Sequence, residues 1–249
     1  MPTQPPMPSQ WQNFLRNRGE WHGSFVTLSC AGVVEADTPS ILSLQSDEED
    51  RLVRFWLRRY GPEGRSGVPI NETKQDYRSL GRQVVFFESG AFSKGSMQLA
   101  PHTAFGAEYG FVHHDRRRRL VQLYSEAGEA GQLVLIREFR AGSAASECPP
   151  LSAEQLLGQW QGQSATVTAD WPEPELADCR VRFEPADLEA CQLLPDGGYS
   201  RRPDRVSHRA AFQVEAGWLG APERLERLIR CYDASGAWLS ARHEILTPG

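Results

Sequence analysis

The sequence predicts an all-β protein built from two tandem antiparallel barrels, each preceded by a short helix. Three observations carry this prediction: strand-like segments dominate the 249 residues, a Gly-x-Trp-x-Gly motif occurs twice, and the two halves end alike. The first motif lies in "RGEWHGSFVTLS" from Arg18, and the second lies in "LGQWQGQSATVT" from Leu157. Each copy continues with alternating small and β-branched residues, a pattern that indicates a half-buried strand.

Composition narrows the class of protein. Hydrophobic residues make up 40% of the chain and charged residues 24%, which is enough for an ordinary globular core. The net charge of −5 argues against a general nucleic-acid binder. No apolar run approaches the roughly 20 residues that span a bilayer, and "MPTQPPMPSQ" lacks the basic and apolar regions of a signal peptide. We therefore expect a cytoplasmic protein whose residues 1–10 form a disordered tail.

The cysteines and histidines predict no metal and no cofactor. Five scattered cysteines without a C-x-x-C pair form neither a disulfide framework nor a zinc site, and they suit a reducing compartment. In "HHDRRRR", from His113, adjacent histidines on a strand would point to opposite faces. We expect this run to be a charged strand end or loop. Alternation along the last strand places His243 outside its barrel, on the face opposite Arg242.

The first barrel is predicted over residues 11–140. It contains about eight strand-like segments, at the spacing expected of a barrel or sandwich. An acidic turn, "SDEED", joins two of them into a hairpin. The predicted strands are residues 21–30, 40–45, 52–60, two around the turn at 88–90, 103–112, 119–125 and 133–140.

A linker at residues 141–151 separates this barrel from a smaller one at residues 152–249. The segment "AGSAASECPP" is small, polar and proline-ended, as linkers are. After it, Ser152 and Gln155 have the spacing of a capping box, and Ser9 and Gln12 precede the first barrel in the same way. Each half therefore begins with a short helix that leads into Gly-x-Trp.

The repeat extends past the opening motif and indicates a tandem duplication. "RLVQLY" from Arg119 matches "RLIRCY" from Arg227, and "AFGAEYGF" from Ala104 matches "AFQVEAGW" from Ala211. These blocks recur in the same order, so one ancestral unit accounts for both halves.

The paired tryptophans, together with Arg137 and Arg242 on the last strands, resemble the lipocalin/calycin superfamily. In those barrels the first-strand tryptophan closes one end, and a last-strand arginine lies across its ring. A guanidinium over an indole gains on the order of 1 kcal/mol. The resemblance implies that barrel closure is the role of Trp21, Trp160, Arg137 and Arg242.

The whole chain is closer still to the DUF3598 family of cyanobacterial two-domain, calycin-like proteins. "LPDGG", "FSKGS" and "GWLGAPERLERLIRCYDASGAW" carry this resemblance, which covers nearly all of residues 11–247. It implies the fold but no established reaction. The phycobiliprotein lyases share the calycin fold, so a pigment-like ligand is an expectation that rests on resemblance alone.

One strand carries candidate ligand-binding residues. In "RLVRFWLRRY", from Arg51, a period of two separates an aliphatic and aromatic face from a cationic and aromatic one. Facing inward, the cationic face would suit a conjugated ligand that bears carboxylates. Facing outward, it would be a solvated surface, and the sequence leaves both interpretations open. The residues of that face are Arg54, Trp56, Arg58 and Tyr60.

Two further candidates recur in both halves. Glu108 corresponds to Glu215, and an inward carboxylate in a barrel must be paired, hydrogen-bonded or protonated. We expect pairing with Arg119 or Arg137 in the first half, and with Arg230 or Arg242 in the second; a general acid or base is the alternative. Tyr124, which corresponds to Tyr232, either anchors a ligand or caps the barrel.

These observations predict a protein that binds a small hydrophobic or pigment-like ligand of the tetrapyrrole, carotenoid or fatty-acid class. The larger first barrel is the expected site. The alternatives are an enzyme of the bilin lyase or isomerase type that uses the same cup, and a protein-interaction module with filled barrels. No nucleophile, phosphate-binding or dinucleotide motif supports catalysis. The candidate ligand residues are Arg54, Trp56, Arg58, Tyr60, Glu108 and Tyr124.

Overall fold

The computed structural model describes residues 8–249 and shows two curled antiparallel sheets, one in each half of the chain. This confirms the all-β fold with tandem barrel-like units. Residues 1–7 of the tail predicted at residues 1–10 lie outside the described residues, whereas Ser9 and Gln10 are ordered as the cap and the first residue of a helix. Within residues 8–249, no helix combines the length and the apolar character needed to cross a membrane.

The first sheet has nine strands in the order β4-β3-β2-β1-β9-β8-β7-β6-β5. Its edges, β4 and β5, are not paired with each other, so the sheet curls around a cup without closing by hydrogen bonds. The strands are β1 (Gly19–Leu28), β2 (Val34–Ser46), β3 (Val53–Tyr60), β4 (Pro69–Tyr77), β5 (Val84–Phe86), β6 (Phe92–Gly95), β7 (Phe105–His113), β8 (Arg116–Tyr124) and β9 (Ala130–Arg140).

The second sheet has seven strands in the order β11-β10-β16-β15-β14-β13-β12. Residues 141–157, which include the predicted linker, separate it from the first sheet. The strands are β10 (Gly158–Thr168), β11 (Glu175–Phe183), β12 (Cys191–Leu194), β13 (Gly198–Arg201), β14 (Phe212–Ala221), β15 (Arg224–Tyr232) and β16 (Trp238–Pro248). The α-helices within residues 8–249 are α1 (Gln10–Leu15), α2 (Ala153–Leu156) and α3 (Pro185–Glu189), and a short 3-10 helix spans Gly64–Ser66.

Each half begins with the predicted capped helix, which the repeated tryptophan then anchors. Ser9 and Ser152 both form capping boxes. The indole of Trp21 donates a hydrogen bond to the carbonyl of Asn17 at 2.9 Å, and Trp160 donates to Leu156 at 2.8 Å. Both rings are buried, so the repeated motif joins a helix end to the first strand inside the core of its own half.

The two halves are related by a pseudo-twofold axis and pack against each other around a shared hydrophobic core. The hydroxyl of Tyr124 donates to the carbonyl of Pro203, and that of Tyr232 donates to Ser96, both at 2.9 Å. Backbone bonds repeat the same exchange, from Val206 to Gly128 and from Leu99 to Gly236, each at 2.8 Å. The core between the sheets contains Leu120, Leu133 and Tyr109 from the first half with Trp218, Leu228 and Ala241 from the second.

The arginine run corrects the sequence prediction. Residues 116–119 are not a solvated strand end: they begin β8, and Arg117, Arg118 and Arg119 are buried. Because side chains alternate along a strand, Arg117 and Arg119 enter the cup, whereas Arg118 faces the second half. There Arg118 donates to the carbonyls of Pro195 and Asp196 at 2.6 and 3.1 Å.

His243 also differs from expectation in its surroundings. It lies outside the second cup, on the face predicted by alternation, yet only 4% of it is exposed. The first half covers this face, and Phe87 packs against the imidazole with 5.1 Å between ring centroids.

Candidate functional site

A cavity of about 320 Å³ lies inside the cup of the first sheet. The unpaired edge strands β4 and β5, with the segment between them, line one side of it. Aromatic side chains supply much of the apolar wall, as expected for a ligand pocket. They are Phe14, Phe55, Tyr77, Phe86 and Phe92.

The opposite wall is charged and centres on Arg119. Its Nη1 donates to Glu108 Oε1 at 3.0 Å, while its Nε and Nη2 donate to the two carboxylate oxygens of Glu138 at 3.1 and 2.9 Å. The pairing of Arg119 with Glu138 is therefore bidentate, the geometry in which a planar guanidinium matches a carboxylate. Of the two partners expected for Glu108, Arg119 and Arg137, the structure shows Arg119.

Arg117 extends the network. Its Nη1 donates to Glu138 at 2.6 Å, and its Nε donates to Asn17 at 3.0 Å. Burial by itself would raise the pKa of Glu138, but Arg119 and Arg117 outweigh it and hold that pKa below its usual value. Glu138 is thus an ionised carboxylate under the cavity floor, shared by two cations.

The lining carries an excess of positive charge. Arg117, Arg119 and Lys94 contribute three cations, and Glu108 contributes one carboxylate. Glu138, which is buried beneath the lining, offsets a second cation, so the three cations and two carboxylates leave a net charge of +1. Lys94 is exposed and lies opposite Glu108 in the β6–β7 register. The cavity therefore combines an aromatic wall with a cationic wall.

The second cup arranges the same charges differently. Arg227 donates to Glu215 at 2.9 Å and to Glu244 at 2.7 Å, as Arg119 does to its two carboxylates. The partner of Glu215 is therefore Arg227, and the expected pairing with Arg230 or Arg242 is wrong. The hydroxyl of Tyr199 also donates to Glu215. Phe92 stands where Tyr199 stands, because each pairs with the equivalent glycine of the next strand. The first cup consequently leaves Glu108 without a hydroxyl partner, and 20% of its side chain is exposed.

The structure does not bring the predicted ligand residues together. Arg54 is exposed, and Trp56 lies on the outer face between Arg58 and Lys74, at 4.2 and 4.6 Å from ring centroid to cation. The inward face of β3 is the aliphatic and aromatic one, which includes Phe55. The outward alternative for this strand is therefore the one observed.

The two predicted tyrosines lie elsewhere. Tyr60 is buried at the end of β3, next to a register shift. Tyr124 lies at the junction of the two halves, where burial raises the pKa of its hydroxyl. Of the six predicted ligand residues, only Glu108 lines the cavity in the first cup.

The arginine over Trp21 is not the predicted one. The guanidinium of Arg140 lies 4.4 Å from the indole centroid, and Trp21 pairs with Arg140 in the β1–β9 register. Arg137 is three residues earlier and bonds to Glu147 at 2.7 Å. In the second half, Trp160 pairs with Pro248, and Arg242 pairs with Glu244 at 2.8 Å. The arginine over the tryptophan is thus three residues later than predicted in the first half, and in the second half a proline occupies the equivalent position.

Sequence reasoning missed Arg117, Lys94 and Glu138 as parts of the site. A signal was available in β9, where Glu138 interrupts an apolar strand directly opposite an arginine-rich one. Within residues 8–249 no group of three or more His, Cys, Asp or Glu side chains is placed to hold a metal ion. The cationic wall is the part of the cup suited to an anionic group on a ligand.

Comparison with known proteins places this architecture in a family. Residues 7–143 match the model "Domain of unknown function (DUF3598), N-terminal". Residues 147–192 and 175–244 match "Biogenesis factor required for ATP synthase 1, C-terminal domain". No curated protein matches the chain.

Among solved structures, a DUF3598 protein of unknown function from Nostoc punctiforme is 34% identical, with a TM-score of 0.87 over 98% of this chain and 100% of its own. An S-type phycobiliprotein lyase from Guillardia theta is 10% identical, with a TM-score of 0.21 over 97% of this chain and 93% of its own. A putative outer membrane protein from Bacteroides fragilis is also 10% identical, with a TM-score of 0.28 over 97% and 100%. The last two similarities are too low to support any conclusion.

Proposed function

The chain belongs to the DUF3598 family, and we propose that its first half binds a small apolar molecule that carries an acidic group. The observation that carries this proposal is the cavity in the first cup, where aromatic side chains face Lys94, Arg117 and Arg119. The apolar body of the ligand packs on the aromatic wall, while its anion meets the cationic wall.

The size of the cavity favours a compact or linear ligand. Its volume of about 320 Å³ is near the lower end of the roughly 300–1,000 Å³ range of ligand pockets. Of the ligand classes suggested by the sequence, a fatty acid fits this volume and the positive charge together. A linear tetrapyrrole or a carotenoid is larger and would require β4 and β5 to move apart.

Calorimetric titration of the full chain with laurate tests the proposal, and dodecanol serves as the uncharged partner of the same length. We expect laurate to bind with one-to-one stoichiometry and to stabilise the protein. Saturation at one hundred times the dissociation constant adds about 2.7 kcal/mol to the free energy of unfolding. Dodecanol should bind more weakly because it lacks the carboxylate. Biliverdin and a carotenoid in parallel titrations test the larger ligands.

Phe92→Tyr is a sharper test, because the second half shows how a tyrosine occupies this position. Its hydroxyl should donate to Glu108, as Tyr199 donates to Glu215, and take up space in the cavity. We expect a folded protein with weaker laurate binding. The matched control is Tyr199→Phe in the second cup, which should leave laurate affinity unchanged. Unaltered binding in Phe92→Tyr, or no saturable binding of any tested ligand, would contradict the proposal.

A protein-interaction function is the second candidate, favoured by the match of the second half to the C-terminal domain of an ATP synthase biogenesis factor. The second cup is packed with Phe183, Tyr199, Leu225 and Leu246, as an interaction module with a filled barrel would be. Trp171, 63% exposed, is an available contact residue. Sedimentation of the chain with isolated ATP synthase subunits tests this function. Co-sedimentation that Trp171→Glu abolishes would support it, and separate sedimentation would reject it.

A further inference from the structure

A second cavity, of about 330 Å³, lies between the two halves and outside both cups. The first half contributes α1 and the turn between β5 and β6, including Phe87 and Glu88. The second half contributes β10, β11 and β16, including Ser164 and His243. We call this cavity the interdomain groove.

His243 lines the interdomain groove, where a buried carboxylate fixes its orientation. Its Nε2 lies 2.8 Å from Glu226 Oε2, and both side chains are buried. Burial alone would raise the pKa of Glu226, but the hydrogen bond and charge of His243, together with Arg224, outweigh it and lower that pKa. The imidazole is therefore held with Nε2 towards Glu226, and Nδ1 has no hydrogen-bond partner within residues 8–249.

Asn13 supplies an unpaired acceptor. Its side chain is 3% exposed and lines the groove, and its Nδ2 donates to the carbonyl of Phe86 at 3.2 Å. Its Oδ1 is buried and has no hydrogen-bond partner within residues 8–249. A buried polar atom without a hydrogen bond destabilises the fold, so a hydrogen bond donated by a ligand to this oxygen would remove that penalty and favour binding.

The charge and shape of the groove indicate what that donor belongs to. Glu88 lines the groove, and within residues 8–249 no lysine or arginine lines it. The ring of Phe87, packed against His243, forms a flat apolar wall. The first cup, by contrast, has a cationic wall. We propose that the interdomain groove is a second binding site, and that it takes a small aromatic molecule bearing an ammonium group.

The equivalent position in the first half is already filled, so this groove is specific to one side of the pseudo-twofold axis. Ile245 stands where Arg137 stands, because they lie three residues before Pro248 and Arg140, the register partners of the two tryptophans. Arg137 bonds to Glu147 of the linker, whose neighbour Cys148 donates its backbone N–H to Asp196 at 2.8 Å. The linker covers that face, whereas Ile245 leaves the groove open.

Two probes of the same ring and chain length but opposite charge test the proposal: phenethylamine and 3-phenylpropionate. Titrated into the full chain, phenethylamine should bind with one-to-one stoichiometry and shift the NMR signals of the His243 ring. Presaturation of the cup with laurate should not change its affinity, so failure of this site and failure of the first cup are distinguishable. 3-Phenylpropionate should leave the His243 signals unchanged.

Glu88→Gln and His243→Gln supply the variants. Removing the exposed charge should weaken phenethylamine binding by about fivefold, the effect of one charge pair near a surface. Glu49→Gln, an exposed carboxylate away from the groove, is the matched control. His243→Gln keeps a donor for Glu226 but removes the ring that packs against Phe87 in the groove, and should weaken binding further. Absence of saturable binding, or equal affinity in the wild type and Glu88→Gln, would overturn the proposal.

Discussion

Glu138 illustrates how single residues hold buried charge in this protein. It accepts hydrogen bonds from Arg117 and Arg119, so both guanidinium groups of the cavity floor depend on it. A buried ion pair contributes little compared with a well-packed apolar pair, but removal of one partner strands the other charge. The three side chains therefore act as one unit.

Replacing Glu138 with glutamine should destabilise the fold strongly. Two buried guanidinium groups would lose their shared carboxylate, and breaking a buried pair in this way costs about 3–5 kcal/mol. Urea unfolding monitored by tryptophan fluorescence measures the change. Glu49→Gln removes an exposed partner of Arg51 and should alter stability by less than about 1 kcal/mol. Similar effects of the two substitutions would contradict the assigned role of Glu138.

The lowered pKa of Glu138 also predicts how stability depends on pH. Near the unfolded pKa of about 4.3, the unfolded chain binds more protons at this site than the folded protein does. Its contribution is therefore present above about pH 4.3 and is lost as pH falls through the folded pKa. Glu226, whose pKa is also lowered, acts in the same direction. Urea midpoints measured from neutral to acidic pH should fall, and less steeply in Glu138→Gln; parallel profiles would refute this.

At the scale of elements, the turns of the β8–β9 and β15–β16 hairpins set the contact between the halves. Gly128 and Gly236 have φ values of 77° and 80°, in the left-handed region. A Cβ at Gly128 would overlap the carbonyl oxygen of Val206, and one at Gly236 would overlap that of Leu99. These two glycines thus serve both the turn and the close approach of the opposite half.

Gly128→Ala and Gly142→Ala separate the two roles. Both positions have a φ of 77°, but a Cβ at Gly142 has nothing within 4 Å. Gly142→Ala should lower the free energy of unfolding by about 1–2 kcal/mol, because alanine is strained in the left-handed conformation. Gly128→Ala should cost more, because it also pushes the halves apart. Differential scanning calorimetry measures both, and equal losses would show that the close approach at Gly128 has no energetic effect.

Strand β4 is present in the structure but is not predicted from the sequence. Its residues 71–76, "NETKQD", are all polar and all exposed. Strand prediction depends on alternation between a buried and a solvated face, and an edge strand exposed on both faces has none. The strands that border the shared core, such as β7 and β8, were predicted because burial of alternate residues leaves that pattern.

For the whole molecule, the pseudo-twofold axis makes the two halves one packing unit. Gln122 donates to Ser200 at 2.9 Å, and the equivalent Arg230 donates to the equivalent Ser93 at 3.2 Å. The duplicated halves therefore bind each other in the way that two copies form an isologous dimer. The buried core between them contains residues from both sheets, so separating the halves would expose it to water.

This shared core predicts a single cooperative unfolding transition. Leu120→Ala lies between the halves, and Leu42→Ala lies in the core of the first cup; both side chains are 0–1% exposed. Each should lower the free energy of unfolding by about 2–5 kcal/mol without splitting the transition. Calorimetry, compared with fluorescence and circular dichroism, tests this. Separate transitions in the wild type, or a shift confined to half of the enthalpy, would mean that the halves unfold independently.

The sequence alone determined the all-β class, the duplication and the capped helices. Each of these depends on local periodicity or on matching blocks, which the order of residues records directly. Tertiary structure decided which face of β3 points outward, that Arg140 rather than Arg137 covers Trp21, and that Arg117 and Glu138 meet beneath the cavity. These depend on sheet register and on how one half covers the other. A shift of one to three residues redirects a side chain without altering the pattern along the chain.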